Sequence, residues 1–166
     1  GALVEEVLEL VRPNCVHGKI ELEFSRPAET LRVWGDSDWL REMLMNLVLN
    51  ATDAAKRPSD APGRVEVELA RADGARAAIR VKDSGKGPAG AVQDKLFEPF
   101  TSEKPEGAGL GLFVARRIAE AHGGTLDWER RAEMTCFTVE LPLLDAGDDQ
   151  GISLKRGTTD GASTAG

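Results

Sequence analysis

Glu106-Gly-Ala-Gly-Leu-Gly-Leu112 is followed by Phe113, Val114 and Ile118 at helical spacing, and the helix they define stops at Gly123-Gly124. A glycine run that opens a helix offers backbone N–H groups at the positive end of the helix dipole, which suits a phosphate. Alone, such a run is a weak signal. A dinucleotide-binding turn has the spacing G-x-G-x-x-G and follows a strand. Here the spacing is G-x-G-x-G and the run follows a polar loop. Its reading is decided by three stretches upstream: Asn46-Leu-Val-Leu-Asn50-Ala51, Asp83-Ser-Gly85-Lys-Gly87 and Leu96-Phe-Glu-Pro-Phe100.

The first of these stretches belongs to a helix that Asp36 or Ser37 can cap and that reaches about Lys56. With Leu47 at the centre of its buried face, Leu40, Met43, Leu44, Ala51 and Ala54 fall within about 60° of it. Asn50 sits at the border of that face and Asn46 one turn earlier, toward the polar side. Asp83 ends a strand in which Ala77, Ile79 and Val81 alternate with Arg80 and Lys82, so its carboxylate shares the inward parity. Val65, Val67 and Leu69 alternate with Glu66 and Glu68 in a preceding strand. Ile20, Leu22 and Phe24 make another, Leu31 and Val33 suggest a short one, and 126–129 and 135–141 complete the set. Residues 3–11 read as a short amphipathic helix ended by Pro13, with a helical turn at 90–96 and a long helix over 109–122 closed by a glycine cap. Antiparallel strands with one polar face and two or three helices predict a two-layer α/β sandwich of about five mostly antiparallel strands on about three helices. Residues 143–166, rich in Gly, Ser, Thr and Asp, read as a disordered tail.

The chain has 166 residues, enough for one domain with a real core, and 41% hydrophobic with 30% charged residues marks it as globular. A net charge of −7 and the absence of a Lys/Arg stripe argue against nucleic acid as a partner. An anionic ligand then needs Mg²⁺, backbone N–H groups and a few placed cations. Cys15 and Cys136 form no C-x-x-C pair and predict a reduced, cytoplasmic setting. No apolar run approaches the ~20 residues of a membrane span, and no signal peptide opens the chain. A first residue other than Met suggests a piece of a longer protein.

Each motif residue admits two readings. Asn50 is either a half-buried amide bracing a loop or a ligand, since an unpartnered carboxamide there costs about 1–3 kcal/mol. Asp83 either closes an Asx turn on its own backbone or accepts a hydrogen bond from a ligand. Phe97 and Phe100 can be core or a loop anchor. Lys104 is an exposed loop lysine or a phosphate contact.

Taken together, the four motifs in this order resemble the ATP-binding catalytic domain of sensor histidine kinases, in the wider group with gyrase, Hsp90 and mismatch-repair ATPases (the Bergerat-type fold). The resemblance covers about residues 30–142 and identifies 1–142 as the catalytic domain. It implies that Asn50 gives a side-chain oxygen to Mg²⁺ bridging the ATP phosphates. It also implies that Asp83 selects adenine through the exocyclic amine, with Gly85 and Gly87 close under the base and ribose. The aromatic box of Phe97 and Phe100 anchors a lid at 101–108, within which Thr101, Ser102 and Lys104 meet the nucleotide. Gly107, Gly109, Leu110, Gly111 and Leu112 form the phosphate-side helix start, while Phe113, Val114 and Ile118 bury it. Asp53 and Ala54 stand where many members carry a basic and an aromatic residue, so both are candidate contacts of altered character. Asn46 replaces the glutamate that activates water in the ATPases of the group, and an amide cannot accept a proton at neutral pH. With Asn50 and Lys104 it makes the candidate catalytic set.

The implied activity is transfer of the γ-phosphoryl group of Mg·ATP to a histidine on a separate helical dimerisation and phosphoacceptor domain of the same parent protein, with a response regulator downstream. His17 and His122 lack the surroundings of the acceptor motif. The isolated domain is expected to be a monomer without membrane contact, although its parent can be membrane-anchored. Rival readings are an ATPase of the same group, a docking module that no longer turns over nucleotide, and a serine kinase that captures a sigma factor.

Overall fold

The computed structural model describes residues 1–56, 61–73, 75–101 and 109–144. Five strands, β1 (Ile20–Ser25), β2 (Gly63–Ala72), β3 (Arg76–Asp83), β4 (Thr125–Arg131) and β5 (Met134–Pro142), form one sheet in the order β1-β2-β3-β5-β4. β1 and β2 are parallel and every other pair is antiparallel. The parallel pair follows from the connection, because the long helix α2 (Ser37–Ala55) crosses over between them. Helices α1 (Ala2–His17), α2 and α3 (Gly111–Ala121) cover one face, α2 lying between the other two. This is the two-layer sandwich that the alternation of residues predicts.

The core forms where the inward residues of the strands meet the apolar stripe of each helix. Val65, Val67, Ile79, Val81, Phe137 and Val139 face Leu40, Met43, Leu44, Leu47, Val48 and Ala51 of α2. Asp36 caps α2, its Oδ1 accepting the Asp38 and Trp39 N–H groups at 2.8 and 3.1 Å. His122 joins this cap to the end of α3. Its Nδ1 lies 2.7 Å from the Ile118 carbonyl, an acceptor, so Nδ1 carries the proton and Nε2 accepts from the Asp36 N–H at 3.2 Å. α3 then ends in a Schellman turn, with Gly123 at φ +69° and the Gly124 N–H bonded to the Ala119 carbonyl at 2.9 Å.

Four expectations are corrected. Helix α1 runs through Pro13 to His17 instead of ending at Pro13. The carbonyl that loses its partner to Pro13 belongs to Glu9, an exposed residue open to solvent, while Cys15 beyond the proline is buried. Leu31 and Val33 form no strand, only a single bridge from Val33 to Leu143, because the Asp36 cap follows too closely. α3 begins at Gly111, two residues later than expected, because Gly109 at φ +65° is left-handed. The expected tail yields its first two residues to the fold: the Leu143 and Leu144 N–H groups bond to the Ala75 and Arg32 carbonyls. Its remainder, 145–166, lies outside the described residues. Among the described residues no helix is long and apolar enough to cross a membrane.

Candidate active site

One cavity of about 480 Å³ opens between the C-terminal half of α2, the end of β3 with the turn after it, β5 and the start of α3. Helical spacing brings Leu49, Asn50, Asp53 and Ala54 of α2 to its wall, and Lys56, the residue that ends the helix, joins them. The predicted residues Asp83, Gly87, Thr101, Gly109, Leu110, Gly111 and Leu112 line it as well. Segments far apart in the sequence thus meet at one place.

Asp83 is 1% exposed on the cavity floor. Its Oδ1 accepts the Gly85 N–H at 2.8 Å, the Asx turn of one reading, while the same carboxylate borders the cavity, as the other reading requires. The two readings are therefore compatible. Gly85 itself is packed behind the lining: a Cβ there would lie 2.5 Å from the Ala54 carbonyl oxygen. The turn is tied to β2 by the Ser84 N–H on the Arg64 carbonyl and the Arg64 N–H on Ser84 Oγ, at 3.0 and 2.9 Å.

At the opposite wall, α3 begins with Leu110 at its N-cap, which has no side-chain oxygen to offer. The first-turn N–H groups of α3 thus receive no side-chain cap from it and point where an anion is stabilised. Gly109 passes directly against the backbone of Phe100 and Thr101, and a Cβ there would lie 2.7 Å from Phe100 C and Thr101 N. Among the described residues, two lysines bring cationic groups. Lys86 reaches the cavity from the turn, and Lys56 does so while its Nζ holds Asp53 Oδ1 at 2.7 Å.

Among the described residues, three predicted site residues stand outside the lining. Asn46 sits behind the start of α3, its Oδ1 3.2 Å from where a Gly111 Cβ would be. Gly85 is described above. Phe97 packs edge-on against Phe137, ring centroids 6.5 Å apart, under the guanidinium of Arg116 at 5.0 Å. Phe97 thus buttresses the cavity through Phe137, which lines it, whereas Phe100 is 79% exposed with φ +65°. Ser102, Lys104 and Gly107 lie outside the described residues.

Residues that sequence reasoning passed over are Thr135, Phe137, Leu49, Lys56, Lys86, Pro88, Val92 and Leu96. Thr135 carried a signal. It begins the inward parity of Phe137, Val139 and Leu141, and a hydroxyl at such a position needs a partner. Lys56 stands one turn beyond Asp53, the spacing of an ion pair.

Residues 35–145 match the family model described as histidine kinase-, DNA gyrase B- and HSP90-like ATPase. The sensor histidine kinase ZraS of Klebsiella oxytoca is 34% identical over 142 residues, covering 85% of this chain and 30% of that protein. The chain therefore spans just under a third of that relative's length. The solved catalytic domain of histidine kinase ThkA, nucleotide free, superposes with a TM-score of 0.75 at 30% identity, covering 85% of this chain and 90% of that one. Full-length ShkA in complex with AMPPNP gives a TM-score of 0.75 at 28% identity, covering 87% of this chain and 30% of that one.

Proposed function

The chain belongs to the family of histidine kinase-, DNA gyrase B- and HSP90-like ATPases, and from that premise we propose that it binds Mg·ATP in this cavity and presents the γ-phosphoryl group to a histidine of a partner domain. That partner is a helical dimerisation and phosphoacceptor domain of the same parent protein, which hands the group on to a response regulator. The observation that carries the reading is the convergence on one cavity of Asp83, Asn50 and the uncapped start of α3.

The residues divide the work. Asp83, buried and braced by Gly85, accepts the exocyclic amine of adenine, where guanine would bring a carbonyl oxygen against a carboxylate. Leu49, Ala54, Val92, Leu96 and Phe137 supply the apolar walls for the base. Ala54 leaves open the space that an aromatic side chain would fill. The first turn of α3 takes the phosphates through backbone N–H groups, with Lys56 and Lys86 offsetting charge at the rim. Lys56 thus stands in for the basic residue missing at Asp53, which holds it in place.

Asn50, which lines the cavity, would hold Mg²⁺ through a neutral amide oxygen, a donor suited to a hard ion that keeps several waters. When bound, the ion neutralises charge on the transferring group. Asn46 cannot accept a proton, so the position where the ATPases of the group carry their water-activating glutamate supplies no general base here, and the nucleophile comes from the partner. Lys104 and Ser102, in the segment that follows Thr101, belong to the proposed closure over the nucleotide.

Calorimetric titration of Mg·ATP into the isolated chain tests the reading. One site per chain with no sustained heat of turnover is expected, and excess EDTA weakens binding by about tenfold or more as the metal's charge is withdrawn. Sustained turnover would favour a self-sufficient ATPase. Absence of binding to demonstrably folded protein would favour a docking module.

A further inference from the structure

We propose that Arg130 is a positioning residue for base recognition: from beside the cavity floor its guanidinium fixes the Thr135 hydroxyl as a donor and clamps the Gly85–Gly87 turn next to it. The inference rests on the nucleotide reading above and extends it to a residue that none of the four motifs contains.

The geometry is a closed ring. Arg130 Nη1 donates to Thr135 Oγ1 at 2.8 Å and to the Gly85 carbonyl at 3.1 Å. The Gly85 N–H donates to Asp83 Oδ1 at 2.8 Å. Asp83 and Thr135 are paired across β3 and β5, which closes the circuit. Gly87 lies on the guanidinium without slack, since a Cβ there would approach Nη1 to 2.8 Å and Thr135 Oγ1 to 3.2 Å. Arg130 and Thr135 are already cross-strand partners through their backbones, so strand pairing does not depend on the side-chain bridge. The bridge holds the turn and the hydroxyl, and both of these face the ligand.

Its chemical effect follows from the donor inventory. Arginine has only donors and stays charged, so the Thr135 oxygen must accept from it. A hydroxyl that accepts from a cation is polarised into a stronger donor and a poorer acceptor for its next partner. Thr135 is 2% exposed and borders the cavity beside Asp83. The floor therefore presents an acceptor next to a biased donor. Adenine matches that order, with an amine beside a ring nitrogen that accepts. The Watson–Crick edge of guanine reverses it, with a carbonyl oxygen beside a ring N–H. Without Arg130 the hydroxyl is free to turn and serve either base.

The test uses Arg130→Met, which keeps a long stem without donors, together with Thr135→Val and the double variant. Each is titrated with ATP, 1-deaza-ATP and 7-deaza-ATP, and its fold is checked by thermal melting. Wild type is expected to lose about tenfold for the analogue that lacks the facing ring nitrogen. Arg130→Met weakens ATP binding and shrinks that penalty to about threefold or less, as expected for a hydroxyl no longer polarised. Thr135→Val abolishes the penalty, and adding Arg130→Met to it changes the penalty no further. Arg130→Lys, a single-point donor, falls between wild type and Arg130→Met. An Arg130→Met protein that binds ATP more weakly but keeps the full penalty would overturn the proposal in favour of simple bracing. Unchanged affinity and penalty, or a wild type indifferent to both analogues, would overturn it as well. A folded wild type that binds no nucleotide would instead overturn the reading on which it rests.

Discussion

A single carboxylate sits at the centre of the proposed chemistry. Asp83→Asn keeps an oxygen for the Gly85 N–H but replaces the anionic acceptor with an amide that also donates, against a base amine that donates too. ATP affinity is expected to fall by roughly 1.5–3 kcal/mol, the worth of a hydrogen bond to a charged group. The melting temperature should stay within a few degrees of wild type, and calorimetry and a melt on the same sample check both halves. A glycine gives the opposite pattern. Gly123 holds φ +69°, and a Cβ there would meet only Pro142 Cγ, at 3.5 Å, so Gly123→Ala meets backbone strain and little crowding. It should cost about 1 kcal/mol of stability by denaturant titration and leave nucleotide affinity unchanged. The contrast separates residues that read the ligand from residues that end a helix.

At the scale of elements, the outer face of the sheet carries its own pH dependence. Glu68 of β2 accepts from Lys82 Nζ at 3.0 Å and from Arg80 Nη1 at 3.2 Å of β3. The Lys82 hydrogen bond, with charge attraction from both partners, holds its carboxyl below the usual range against the opposing effect of burial. A depressed carboxyl contributes stability above its unfolded value, and that contribution disappears as pH falls through the folded one. Wild type should therefore exceed Glu68→Gln in denaturant midpoint at neutral pH, and the gap should close below about pH 4. The elements themselves were legible wherever one period ran unbroken: α2 from its Asp36 cap, and β2 and β3 from strict alternation. Legibility failed where tertiary context overrode a local rule. Pro13 is tolerated in α1 because the lost bond faces water, and Val33 lacks the length to extend its single bridge. Within the site, the glycines and Asp83 were visible as motifs. Thr135 and Lys56 became site residues only through the pairing of β5 with β3 and the turn of α2. The parity of β5 marks Thr135 as an inward hydroxyl in need of a partner, but its place beside Asp83 is set by the strand pairing.

Across the whole molecule, both thiols are sealed. Cys15 and Cys136 are 2% and 7% exposed, and burial pushes both upward from the ordinary thiol range. Iodoacetamide at neutral pH is expected to leave both unmodified in the folded chain and to label both in denaturant, as read by intact mass. Labelling of either under native conditions would mean that the sandwich opens locally. The sheet order has one more consequence. β3 and β5 lie side by side, yet the turn, the start of α3 and all of β4 are threaded between them in the chain. A nascent polypeptide that has left the ribosome only as far as Glu133 carries every asparagine and glycine of the site. It still lacks Thr135 and Phe137, the two floor residues that the final strand delivers. On the proposed reading, nucleotide capture is expected to wait until β5 has been made, and a product truncated at Glu133 should bind no ATP in the calorimeter.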